Sequence, residues 1–153
     1  MNKREVDRLL PEAYKAIQTY GIADAGGNVS NTFRGQIAAF GAAVSMGSLL
    51  SAVAFFSAKG GSKADRPKLM EAIYKLVAME KPPTEDEKDG DVLFQWVSNR
   101  DRKDDPGVKE QIINAAIAIK LAINLYHIDR GTGNDKGTDS DGGQADEQAL
   151  PVS

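Results

Sequence analysis

The chain has 153 residues, of which 41% are hydrophobic and 27% are charged, so it is long enough to form one domain with its own core. It contains no cysteine, which excludes disulfides and thiolate zinc sites and predicts a reducing, intracellular compartment. The N-terminus is charged from its second residue and the longest apolar runs are far below the roughly 20 residues of a spanning helix, so we expect a soluble, cytoplasmic protein without a membrane partner.

The formal net charge of -3 is unevenly distributed along the chain. Residues 131–153 hold five of the 22 acidic residues and one of the 19 basic residues, which leaves 17 acidic and 18 basic residues elsewhere. Residues 1–130 are therefore near neutral and lack the overall basic excess of many nucleic-acid-binding domains. Any RNA-binding surface has to be local.

The first predicted element is a helix over residues 3–20. Pro11 lies inside it and removes a backbone hydrogen bond, so we expect a kink or a break there. A loop over 21–28 follows, and Ser30 or Asn31 is expected to cap the next helix. The apolar stripe of the first helix consists of Val6, Leu10, Ala13 and Ile17.

Residues 33–56 predict a helical hairpin, because apolar residues recur at three- and four-residue steps on both sides of Gly47-Ser48. Gly47 would end the first helix by adopting left-handed backbone angles, and Ser48 would cap the second. The adjacent Phe55 and Phe56 cannot both face one core, so one of them is expected to pack on a different helix or on a partner subunit. The apolar positions are Phe33, Ile37, Phe40 and Val44 before the break and Leu49, Val53 and Phe56 after it.

A further helix is predicted after a flexible turn at Gly60-Gly61. Ser62 or Asp65 could cap it, and Pro67 is tolerated in its first turn. Its apolar positions are Leu69, Ile73, Leu76 and Val77.

Two more helices complete the predicted bundle. A charged loop over 81–90 leads to a short helix over 91–99, whose apolar side carries Val92, Leu93, Trp96 and Val97. The last helix is long, rich in Ala and Ile, and ends near His127. Its stripe consists of Val108, Ile112, Ala115, Ala116, Ile119, Ala122, Ile123 and Tyr126.

No alternating strand pattern is found, so the sequence predicts an all-α fold. We expect a compact bundle of five or six helices over residues 1–130. Residues 131–153 are rich in Gly, Asp and Ser and poor in large apolar side chains, so they cannot bury enough surface to offset the entropy of ordering. A disordered acidic C-terminal tail is predicted for them.

Few residues indicate catalysis or metal binding. His127 is the only histidine, and without a spaced nucleophile or carboxylate partner we expect it to interact with the carbonyls at a helix end. The acidic stretches 85–91 and 139–142 do not keep the ligand spacing of an EF-hand loop. Residues 58–63 lack the GxxxxGK pattern of a nucleotide loop. We therefore predict no catalytic residue, no metal and no cofactor.

Several cations are candidate contacts for a phosphate backbone. Those around the Gly60-Gly61 turn adjoin a helix N-terminus, whose free N–H groups also favour anions. They are Lys59, Lys63, Arg66 and Lys68, and a solvated loop is the alternative interpretation. The other candidates are Arg8, Lys15, Arg34 and Lys120. For Lys120 the alternative is a side chain that covers the edge of the core.

The order of these elements resembles a known family. The first helix, the hairpin with its Gly47 break, the helix containing Ala72-Ile73-Tyr74 and the long Ala/Ile-rich last helix look like the small, fifth subunit of the Cmr complex. That complex is the CRISPR type III-B RNA-silencing effector, which acts in antiviral defence. The resemblance covers about residues 4–130.

This resemblance implies a non-catalytic subunit that stacks with copies of itself beside the other Cmr effector subunits. It implies binding to guide RNA and target RNA, while a different subunit cuts the RNA. Three alternatives stay open: the small subunit of the type III-A complex, a small helical adaptor that binds only protein partners and, more distantly, an enzyme.

Overall fold

The computed structural model describes residues 1–58, 65–79 and 92–129. In these ranges the chain forms six helices and two short strands, which confirms the predicted all-α class. The turn at Gly60-Gly61, the charged loop over 81–90 and the predicted tail over 131–153 lie outside the described residues. The elements are α1 (Lys3–Thr19), β1 (Asn28–Ser30), α2 (Asn31–Met46), α3 (Leu49–Ser57), α4 (Arg66–Ala78), α5 (Val92–Ser98), α6 (Pro106–Ile123) and β2 (His127–Asp129).

Helix α1 continues through Pro11. Asn2 caps it, because its side-chain oxygen accepts the Glu5 N–H at 3.3 Å. Of the kink or break predicted at Pro11, the break is wrong, because the helix runs on to Thr19. Pro11 is exposed, so water can reach the carbonyl that its missing N–H leaves unpaired. The buried stripe also differs from the prediction, since Leu9 is buried and Leu10 is half-buried.

Helices α2 and α3 form the predicted hairpin. Ser48 caps α3 by accepting the Ser51 N–H at 3.2 Å. The predicted apolar positions on both helices are buried. Phe40 and Phe56 lie on opposite sides of the break along the chain, and their rings meet edge to face with centroids 5.4 Å apart. Helix α3 therefore folds back against α2.

Gly47 ends α2 for a different reason from the predicted one. Its φ angle is -142°, which is outside the left-handed region. A Cβ at this position would lie 3.2 Å from the carbonyl oxygen of Ala43, and that oxygen accepts the Gly47 N–H at 3.0 Å. Glycine thus allows the chain to pass close to the last turn of α2.

Capping of the other helices follows the predictions in part. Ser30, one of the two predicted caps of α2, accepts the Thr32 N–H at 3.3 Å. Asp65 occupies the N-cap position of α4 without making a capping hydrogen bond, and Pro67 lies in the first turn. Ser62 lies outside the described residues.

Helix α6 is central in the bundle and packs against α1, α2 and α4. Asp105 caps it by accepting the Gly107 N–H at 2.8 Å. All residues of its predicted stripe are buried, although the last of them, Tyr126, lies beyond the helix end at Ile123. The Tyr126 hydroxyl donates to the Tyr14 carbonyl at 2.7 Å.

The strands form a short parallel sheet that the sequence pattern does not predict. Asn28 pairs with His127, and Ser30 pairs with Asp129. Strands of three residues are too short to show an alternating pattern. His127 is thus at the start of β2 and not at a helix end, which corrects the prediction. Its N–H donates to the carbonyl of Gly27 at 3.3 Å, and its side chain is exposed.

The buried apolar side chains of all six helices belong to one hydrophobic core. Among the described residues, the buried polar ones are Ser57 and Asn114. None of the described helices combines the length and the apolar content needed to cross a membrane.

Candidate functional site

The cations predicted around the Gly60-Gly61 turn are described only in part. Lys59 and Lys63 lie outside the described residues. Lys68 is half-buried, and its Nζ donates to the carbonyl of Gly21 at 3.4 Å. This contact ties the start of α4 to the loop after α1.

Arg66 is held by α3. Its guanidinium lies over the Phe55 ring, 4.7 Å from the centroid, and donates to the Ala58 carbonyl at 3.2 Å. Phe56 is buried and Phe55 is 61% exposed, so the two rings do not both face the core, as predicted. The exposed Phe55 packs on Arg66 of α4. Because Arg66 and Lys68 both have partners within the chain, their first role is to fix α4.

The two candidates on α1 are paired with glutamates. Arg8 binds Glu5, with its Nη2 at 2.8 Å from Oε1. The hydrogen bond from Arg8 lowers the pKa of the Glu5 carboxyl. Lys15 lies 3.7 Å from a carboxylate oxygen of Glu12. A phosphate would have to compete with these carboxylates.

Lys120 lines a groove between α2 and α6, with a volume of about 210 Å³, which we call the α2/α6 groove. The residues from α2 are Ile37, Ala38, Gly41, Ala42 and Ser45. The residues from α6 are Ile113, Ala116, Ile117 and Lys120. The lining is thus apolar or small, with one exposed cation at one end.

Arg34 lies on α2 just before the residues that line the groove. It lies four residues before Ala38 on α2, so the two side chains share a helix face. Strand β1 leads directly into α2 and strand β2 follows α6, and the two strands are parallel neighbours. The first turn of α2 and the last turn of α6, which contains Lys120, therefore lie at one end of the bundle.

The helices that form the groove contribute no acidic side chain to it. Neither α2 nor α3 contains Asp or Glu, and none occurs in residues 111–128. The carboxylates nearest in the chain at the sheet end are Asp24 and Asp129. Asp24 accepts the N–H groups of Gly26 and Asn28, each at 2.9 Å, and the bond from Asn28 is the main cause of the lowered pKa of this carboxyl.

Large apolar side chains continue from the groove to the surface. Leu121 follows Ile117 by one helical turn and is 45% exposed, and Leu125 is 64% exposed. Met46, at the other end of α2, is 87% exposed. Exposed apolar side chains that continue a groove are typical of surfaces that bind another protein.

A second cleft, also about 210 Å³, lies between α1, α4 and α6. Asn114 is buried beside it and accepts the N–H of Asn2 at 3.0 Å. Sequence reasoning missed Asn114, whose one signal is that it interrupts an Ala/Ile-rich run. Because its amide fixes the start of α1 against α6, we interpret it as a structural residue.

The described residues provide little for metal chemistry. Within the ranges that the structure covers, no group of three or more His, Cys, Asp or Glu side chains could hold a metal ion.

Comparison with protein-family models, with curated proteins and with solved structures found no match to this chain. The α2/α6 groove and its two cations are therefore the observations on which a function can be proposed.

Proposed function

We propose that this chain is a non-catalytic small subunit of an RNA-guided type III CRISPR effector, of the type III-B Cmr class. It contacts the RNA backbone and neighbouring subunits through the α2/α6 groove. The observation that carries the proposal is that Lys120 lines an apolar groove without an acidic lining residue, while Arg34 lies one helical turn before Ala38 of the same groove. The RNA partner is taken from the resemblance in helix order.

Arg34 and Lys120 have the better electrostatic setting among the described candidates. No ion pair of either residue is found within the described ranges. Arg8 and Lys15, by contrast, would have to leave Glu5 and Glu12. Cations of this kind bind phosphates without reading bases, which suits a subunit that must accept any guide sequence.

The apolar part of the groove suits contact with other subunits. Burial of exposed apolar surface stabilises an interface by about 25 cal/mol per Å² of surface removed from water. Leu121, which directly follows Lys120 in the chain, provides such surface, and Leu125 is a further exposed apolar side chain. One surface can thus pack on a protein and face RNA at its edge.

A double substitution tests the RNA contact. The double variant Arg34→Gln, Lys120→Gln should weaken binding of a short labelled RNA, measured by fluorescence anisotropy at two salt concentrations. Each lost phosphate contact lowers the slope of log affinity against log salt by about 0.7 for a single strand, so the slope should fall by about 1.4.

The matched control removes two positive charges from α1 instead. The double variant Arg8→Gln, Lys15→Gln should have a smaller effect, because these cations are already paired. Equal RNA binding by the wild type and the Arg34, Lys120 variant would refute RNA contact by the groove. Circular dichroism of all variants checks that the helical content is unchanged.

A protein-only adaptor is the second candidate function. It is favoured by the exposed apolar side chains Leu121, Leu125 and Met46. An adaptor would lose its partner when these residues are replaced, and it would show no salt-dependent RNA binding. The salt series above therefore separates the two functions.

A further inference from the structure

We infer that the acidic segment 131–153 of this chain docks in the α2/α6 groove and competes there with RNA for Arg34 and Lys120. The RNA part of this inference rests on the proposed function. The docking itself depends only on the groove and on the composition of the segment.

Charge complementarity is the first argument. The segment has five acidic residues against one lysine: Asp135, Asp139, Asp141, Asp146 and Glu147 against Lys136. Lys120 lines the groove and Arg34 lies one helical turn before Ala38, whereas no Asp or Glu is among the lining residues. The one carboxylate on α6, Glu110, lines the other cleft. At physiological salt such attraction acts over about 8 Å, so the segment has to be brought close.

The sheet brings it close. Strand β2 ends at Asp129, opposite Ser30, and Ser30 directly precedes α2. Arg34 lies four residues further, which is about 6 Å along the helix axis. The chain that follows Asp129 therefore starts beside the cationic end of the groove.

The segment is also long enough to follow the groove. As a coil, a chain of this length spans about 25 Å. Helix α2 has 16 residues and is about 24 Å long. A tether of this kind gives an effective concentration in the millimolar range, so even weak docking is populated.

The apolar residues of the segment match the rest of the groove. Leu150 and Val152 lie far from its acidic start. Beyond the cations the groove is lined by residues such as Ala38, Gly41 and Ile117. Small residues leave room for a backbone to approach, and the isoleucine offers apolar contact.

As a consequence, RNA binds only above a threshold concentration, because it has to displace the segment. A competitor that occupies the groove nine-tenths of the time lowers the apparent RNA affinity about tenfold. RNA presented at high local concentration in an assembled complex displaces the segment, whereas dilute RNA does not.

A spin label tests the docking in the full chain. The chain has no cysteine, so Ser140→Cys provides a single site for a nitroxide. In ¹⁵N NMR spectra the label should reduce the amide signals of Ala38, Ala42 and Lys120 more than that of Asp7 on α1. The difference should disappear in the Arg34→Gln, Lys120→Gln background.

Three results of the same experiment would overturn the docking. The first is equal signal loss over all surfaces, and the second is a maximum on another surface. The third comes from a mixture of ¹⁵N protein without nitroxide and ¹⁴N protein that carries the nitroxide. Loss of the same signals in this mixture would show that the segment of a second copy occupies the groove.

A neutral tail tests the competition. Replacing the four aspartates by Asn and Glu147 by Gln should raise RNA affinity about tenfold in the wild-type groove, and should leave it unchanged in the Arg34→Gln, Lys120→Gln background. Unchanged affinity in the wild-type groove would refute the competition. If no variant binds RNA, the proposed function fails, while the spin-label result still decides the docking.

Discussion

Gly35 and Gly47 differ in how much space surrounds the Cβ that an alanine would add. Nothing lies within 4 Å of a Cβ built at Gly35, in the first half of α2. At Gly47 the Cβ would be 3.2 Å from the Ala43 carbonyl oxygen, which is backbone and cannot turn aside. The same substitution should therefore have opposite effects at the two positions.

Gly35→Ala should raise the free energy of unfolding by about 0.5–1 kcal/mol, because alanine loses less entropy in a helix. Gly47→Ala should lower it by about 1 kcal/mol, since the last turn of α2 must shift. Urea unfolding of both variants checks this. A stabilised Gly47→Ala protein would contradict the close approach as the reason for glycine.

Tyr126 joins the end of α6 to α1. Its ring stacks on Tyr14 with centroids 4.6 Å apart, and its hydroxyl donates to the Tyr14 carbonyl at 2.7 Å. Burial raises the pKa of the Tyr126 hydroxyl, and the nearby Tyr14 raises it further. The folded state thus favours the neutral phenol.

The pH dependence of stability follows from this direction. A raised pKa in the folded state means that stability is complete below the unfolded value of about 10 and declines as pH rises through the folded pKa. Tyr126→Phe should cost about 1 kcal/mol at neutral pH and should reduce the decline above pH 10. Thermal unfolding from pH 7 to 11 would detect both effects, and an unchanged alkaline slope would contradict a role for Tyr126.

At the scale of elements, the sheet joins two helices that are far apart in sequence. Val29 of β1 is fully buried and pairs with the half-buried Ile128 of β2. The strand pair thus joins the segment before the first turn of α2 to the segment after the last turn of α6. The cationic end of the groove therefore depends on six strand residues.

Val29→Ala should lower the free energy of unfolding by about 1–3 kcal/mol, because it leaves a cavity at a buried site. Ile128→Ala should cost less, since Ile128 is half-buried. Urea unfolding gives the energies, and hydrogen exchange of the strand amides shows where the structure loosens. A larger loss for Ile128→Ala would contradict this order.

At the scale of the whole molecule, one surface is apolar and cationic although the chain as a whole is acidic. Its helices keep Asp and Glu away from the groove, while the acidic residues concentrate elsewhere, including residues 131–153. This separation of charge makes the surface sensitive to a single added carboxylate.

Leu121→Glu and Leu121→Gln form a matched pair at the rim of the groove. Both should change the free energy of unfolding by less than about 0.5 kcal/mol, because Leu121 is 45% exposed. Under the proposed function, both should weaken association with other effector subunits, measured by co-purification. Leu121→Glu alone should also weaken RNA binding, and equal RNA affinity for the two variants would contradict an electrostatic role of this surface.

The sequence by itself determined the helices, since their signals are local. Apolar spacing identified the buried faces of α2, α3 and α6, and Ser30 and Ser48 act as caps because a hydroxyl reaches an N–H two or three residues away. The apolar match at Leu9 and Leu10 failed by one position, because both leucines keep three- or four-residue spacing to Val6 and Ala13.

Tertiary structure alone decided which of the described cations are held by contacts within the chain. Arg66 and Lys68 are held by Phe55 and by the Gly21 carbonyl, contacts that no spacing predicts. Lys120 lines a groove with residues of α2, and Arg34 lies near it, because β1 and β2, which adjoin these two helices, pair although they are far apart in sequence. Such pairing depends on which segments pack together in space, and local periodicity carries no information about it.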